Sequence, residues 1–163
     1  LVFTNNNFSK RILYSADDQR ESFVEKIKTH EPRYLIWKNS FEIFNENNNK
    51  SIGLGFGKTQ ELLREKYKKI EPVKKREWFI QRDFNTHNQY IDFLLSIGVF
   101  GLAGFIALLI IILVDSKKTI YNLNTYFSLI FFMLFENPFH RIFGVFVIAL
   151  ICYTILNKNK IKE

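Results

Sequence analysis

The chain has 163 residues, 47% of them hydrophobic and 17% aromatic, with a formal net charge of +7. Its one cysteine, Cys152, excludes an internal disulfide and a zinc site built from thiolates. The length would suit one ordinary domain, but the apolar residues are too unevenly placed for a single soluble fold. Residues 1–90 are polar and carry 17 Lys and Arg against 12 Asp and Glu, whereas residues 91–156 are almost continuously apolar.

The first residue is Leu1, with no charged leader or cleavage pattern behind it, so the N-terminus reads as a cut in a longer parent. Ser15 or Asp17 can cap a first helix through about Lys28, burying Phe23, Val24 and Ile27. Pro32 opens a second helix through about Phe44, with Tyr34, Trp37, Phe41 and Phe44 spaced as an aromatic packing stripe. The run Ile52-Gly53-Leu54-Gly55-Phe56-Gly57-Lys58-Thr59 suggests a phosphate loop, but it is one residue short of the Walker spacing and lacks a preceding strand. It reads instead as a turn that lets backbone pass closely. Thr59 is the expected cap of a third helix to Ile70, supported by a Glu65–Lys69 pair.

Thr86-His87-Asn88-Gln89 has the form of a capping box, which places His87 in the first turn of the helix that follows. The positive helix end disfavours imidazolium there, as a general base requires. The bland alternative is an interfacial histidine that only meets lipid headgroups. Residues 91–114 are long enough for a first membrane span, with Asp92 at its edge and Gly98, Gly101 and Gly104 as a smooth packing stripe.

A turn at 115–119 leads to a second, shorter span at 120–135. A second turn at 136–141 leads to a third span at 142–156, with Asn137 as cap and Pro138 at the first helical position. His140 and Arg141 then lie in the opening turn of that span, beside Glu136, where Arg suits an anion. Lys117, Lys118 and the lysines of the 157–163 tail put those connections in the cytoplasm. Residues 1–90 and the 136–141 turn then share the outer face. The expected fold is all-α: a piece of an integral membrane helical bundle, with a mostly helical periplasmic segment before three transmembrane helices. Beside such spans, a basic outer surface favours lipid-linked phosphate over nucleic acid as partner.

The order Arg33-x-x-x-Trp37, Gly53-Leu54-Gly55-Phe56-Gly57 and His87-Asn88-x-Tyr90, running into Gly98-x-x-Gly101, resembles the O-antigen ligase and polymerase superfamily. The resemblance extends over about residues 30–156. It implies a multi-pass glycosyltransferase of the bacterial inner membrane, working at the periplasmic face with no cofactor and no metal. The donor is a glycan on undecaprenyl pyrophosphate, and the acceptor is lipid A-core or a growing polysaccharide. By position, His87 and Arg33 carry catalysis, with Trp37, Asn88, Arg141, Glu136, Gly55 and Gly57 on the substrate side. Ligase, repeat-unit polymerase and protein O-glycosylating enzyme share these motifs. A non-catalytic subunit of a polysaccharide export complex is the reading from another class.

Overall fold

The computed structural model describes residues 31–116 and 119–157, the side chains of 115, 116, 156 and 157 excepted. The expected helix at Ser15–Lys28 and the lysines at 117, 118 and 158–162 lie outside the described residues. Those described form seven α-helices and one 3-10 turn, with no strand among them. The all-α expectation holds. The chain divides into two compact units, residues Leu1–Leu35 and Ile36–Glu163.

Helix α1 (Pro32–Glu46) begins at Pro32, as expected, but the aromatic stripe is not its buried face. Ile36, Asn39, Ser40 and Ile43 are buried, whereas Phe41 is half exposed. Helix α2 (Phe56–Tyr67) starts earlier than Thr59, with Gly55 as its cap residue. Thr59 Oγ1 instead donates back to the Gly55 carbonyl at 2.9 Å. The supporting ion pair is Glu65 with Lys68, at 2.6 Å, rather than with Lys69.

Helix α3 (Val73–Arg82) was not expected from the sequence. One buried side chain, Phe79, anchors it, packing its ring against Tyr67 and Phe84. The helix ends at Asp83, whose left-handed conformation is held by Arg64 and Gln60. The Arg64 guanidinium holds the Asp83 carboxyl below its usual range.

The run expected as one continuous span is two helices, α4 (Gln89–Ser96) and α5 (Gly98–Ser116). They break at Ile97, and Gly98 takes a positive φ of 72°. The glycine-rich loop causes the break. Leu54 and Gly55 amides donate to the Leu95 and Ser96 carbonyls at 2.8 Å each, and the Val99 and Phe100 amides donate to Lys50 and Ser51 carbonyls at 2.9 and 3.1 Å. Carbonyls and amides left over at two helix ends are thereby satisfied by one loop. A Cβ on Gly53 would lie 2.5 Å from the Gly98 nitrogen, and one on Gly98 equally near Gly53. The close backbone passage read from the sequence is therefore a loop meeting a helix break. The smooth-stripe expectation fails, because Gly98 serves that contact and Gly104 meets nothing within 4 Å.

Helices α6 (Ile120–Met133) and α7 (Ile142–Asn157) pack with α5. Ile112, Tyr126 and Ile155 form one core cluster, and Leu129, Met133 and Ile148 a second. Tyr126 Oη donates to the Leu109 carbonyl at 2.9 Å, and Asn122 Nδ2 to that of Ile155 at 3.3 Å. Between α6 and α7 runs a 3-10 turn, Pro138–His140, followed by the extended Arg141. Asn137 makes no side-chain cap, and His140 and Arg141 precede α7 instead of forming its first turn. Among the described residues no helix is long and apolar enough to cross a membrane.

Candidate functional site

The capping box at 86–89 is replaced by a different arrangement. Asn88 caps α4, its Oδ1 accepting from the Tyr90 and Ile91 amides at 3.0 Å each. Thr86 Oγ1 donates to the Asn88 carbonyl at 3.1 Å and accepts from Asn137 Nδ2 at 2.7 Å. His87 thus stands just before the helix, not in its first turn, at a φ of 44°. That left-handed conformation is uncommon for an L-residue and costs free energy unless its surroundings enforce it. Here they do: Asn85 Oδ1 accepts from the His87 amide at 3.0 Å, and the Asn88 cap follows at once.

The segment 86–92 is tied to the junction between α6 and α7 almost residue by residue. Asn88 Nδ2 donates to the Leu134 carbonyl at 3.0 Å, and Gln89 Oε1 accepts from the Phe139 amide at 3.1 Å. Asp92 Oδ2 lies 2.9 Å from His140 Nε2. These rivets bring His87 Nδ1 to 3.6 Å from Glu136 Oε2. From the other side, Trp37 Nε1 donates to the Thr86 carbonyl at 2.9 Å, fixing the peptide next to His87.

His87, Glu136, Asn137 and Arg141 form one end of a cavity of about 650 Å³. Its remaining walls are mostly apolar: Leu129 and Phe132 of α6, and Val147, Ile148 and Ile151 of α7. Gly144, also in the wall, has no room for a Cβ, which would strike the Pro138 carbonyl. The arrangement offers an imidazole, a carboxylate near it and a guanidinium suited to an anion, all lining a mainly apolar pocket.

Of the residues singled out by sequence, the structure therefore assembles His87, Glu136 and Arg141 in one cavity wall. Asn88 is engaged in capping and riveting, and Trp37 in holding Thr86. Gly55 belongs to the loop at the helix break, and Gly57 opens onto free space. Arg33 lies in the first turn of α1 in the other unit, its Nη1 3.8 Å from Glu31 Oε1. No group of His, Cys, Asp or Glu suited to a metal occurs among the described residues. Sequence reading passed over the Asp92–His140 pair. The signal was present, since Asp92 is the one charged residue inside a long apolar run and is 2% exposed.

A family model described as O-Antigen ligase matches residues 3–106, well over half of the chain. The chain belongs to the O-antigen ligase family. No curated protein and no solved structure matches it. The O-antigen ligase match includes Arg33, Trp37, the glycine-rich loop and His87, and stops before Glu136 and Arg141. The fold thus brings residues beyond the matched region to His87.

Proposed function

We propose that this O-antigen ligase family chain is part of a bacterial inner-membrane glycosyltransferase. It moves a glycan from undecaprenyl pyrophosphate to a hydroxyl acceptor at the periplasmic face. The observation that carries this reading is the placement of His87 near Glu136, with Arg141 in the lining of the same mainly apolar cavity. Such a site suits an amphiphile with a charged phosphate head.

The reaction is an inverting displacement at the anomeric carbon. The acceptor oxygen forms the new glycosidic bond as the bond from the anomeric carbon to phosphate oxygen breaks. The acceptor proton passes to His87, and the electron pair leaves with the lipid pyrophosphate. Glu136 Oε2, 3.6 Å from Nδ1, lies beyond hydrogen-bond reach and acts on the ring through its charge. Arg141 stabilises the departing anion, whose planar oxygens suit a guanidinium fork, and the family resemblance alone gives Arg33 a part in binding phosphate. General-base help of this kind is worth roughly 10²–10⁴ in rate. A hydrolytic glycosidase is a poorer fit, since it needs two carboxyl groups flanking the bond.

Membrane insertion is part of the proposal. Helices α5, α6 and α7 expose large side chains such as Phe100 at 74% and Phe143 at 79%, more apolar surface than water tolerates on a monomer. Helix α5, with 19 residues, reaches about 28 Å. The break at Gly98 is compatible with membrane depth because the loop satisfies the freed backbone groups. The rivets between residues 86–92 and 134–140 support a common, outer side for the start of α4 and the 136–141 turn.

The test is transfer from a purified undecaprenyl-pyrophosphate-linked glycan to its acceptor by the full-length parent protein in liposomes. Product should form with wild type and be lost with His87→Ala at equal protein level and donor binding. Equal product from both proteins would overturn the assignment.

A further inference from the structure

Two histidine–carboxylate pairs sit in the same junction, and the mechanism above uses one of them. The other, Asp92 with His140, differs in kind. Asp92 is 2% exposed, so its carboxylate has left water almost completely, and His140 Nε2 stands 2.9 Å from it. The partner on the other side of the imidazole is the ring of Phe56, edge-on at 5.8 Å between centroids, which brings no charge. His140 closes the 3-10 turn, the Arg141 amide donates to the Pro138 carbonyl, and Arg141 starts the backbone of α7. Holding the His140 ring against α4 therefore fixes the Arg141 end of the short segment whose other end, at Leu134, is held by Asn88.

We propose that Asp92 and His140 are a positioning pair that keeps Glu136 and Arg141 in register with His87 only while His140 is protonated. A buried carboxylate is tolerated when a charged, hydrogen-bonding partner faces it, and removal of that charge leaves it uncompensated. The junction would then loosen. The contact with Asp92 raises the His140 pKa above the ordinary imidazole value, outweighing partial burial. Among the described residues, Asp92 is the charged group that acts on it.

This inference rests on the glycan-transfer reading, and the experiment separates the two. Transfer by the full-length protein is measured from pH 6 to 9 for wild type, His140→Gln and Asp92→Asn, with melting temperature recorded on the same samples. Wild type should show an alkaline limb above pH 6.5, falling about tenfold per unit. His140→Gln, which keeps an N–H for Asp92 but cannot titrate, should be slower and should lack the alkaline limb. In Asp92→Asn the limb should move to lower pH. A limb unchanged in His140→Gln, or none in wild type, overturns the positioning role. If wild type transfers nothing at any pH, the glycan-transfer reading fails instead. The pair is then decided by melting alone: wild type should lose stability as pH climbs above 6.5 and His140→Gln should not, and parallel curves overturn it.

Discussion

Asn88 does two separable jobs, and two substitutions should expose both. Its Oδ1 caps α4 through the Tyr90 and Ile91 amides, while its Nδ2 supplies the hydrogen bond to the Leu134 carbonyl at 3.0 Å. Asn88→Ala removes both. The cap is worth ~1 kcal/mol, and losing the part-buried hydrogen bond to Leu134 costs about 1 kcal/mol more. A loss of ~2 kcal/mol corresponds to a drop of about 4–8 °C in Tm for a chain of this size. Asn88→Asp keeps the cap, since Asp and Asn are equivalent there, but sets a carboxylate oxygen against the Leu134 carbonyl. It should lose the rivet alone, and its Tm should fall too. Thermal melting of purified protein in detergent reads both variants against wild type. Unchanged melting in Asn88→Asp would refute the rivet, and unchanged melting in Asn88→Ala would refute the whole account of this junction.

Glu136→Gln should lower transfer roughly 10–10²-fold with little change in donor affinity, less than for a buried triad carboxylate because Glu136 is 42% exposed; a loss confined to KM would make Glu136 a substrate ligand instead. Gly98→Ala should destabilise by about 2–5 kcal/mol, since it adds a Cβ at positive φ against the Gly53 loop, whereas Gly57→Ala, with open space around it, should be tolerated in the same melting assay. Arg33→Lys should lose most transfer despite keeping its charge, as an ammonium cannot reproduce the planar fork; near-normal transfer would shift the phosphate role to Arg141. Stability should also report on His140. A histidine whose folded pKa is raised stabilises fully below its unfolded value near 6.5 and loses that contribution as pH rises through the folded value. Melting curves at pH 6 and pH 8.5 should therefore differ in wild type and converge in Asp92→Asn.

The sequence was legible where local rules and long apolar runs agreed. Pro32 started α1, the runs at 120–135 and 142–156 are α6 and α7, and the glycine-rich stretch is a close backbone passage. It was illegible where a distant partner decided the outcome. The run at 91–114 has no local signal for a break, because the break is made by a loop forty residues upstream that supplies its hydrogen bonds. Helix α3 presents one buried residue, Phe79, and so lacks an apolar stripe to detect. Thr86 and Asn88 are both good caps, and the choice fell to Asn88 because Asn137 and the Asn88 carbonyl occupy the Thr86 hydroxyl. His87 stood out in the sequence as a candidate, yet its approach to Glu136 depends on rivets between segments that are remote in sequence.

The central claim is that His87 removes the acceptor proton, and single-turnover transfer by His87→Gln tests it most directly. Glutamine can hydrogen-bond to the acceptor hydroxyl but cannot take its proton. With donor and acceptor saturating, the rate should fall at least ~10²-fold while donor affinity stays within a few-fold of wild type. A His87→Gln rate within tenfold of wild type would contradict the general-base role and leave His87 as a positioning residue.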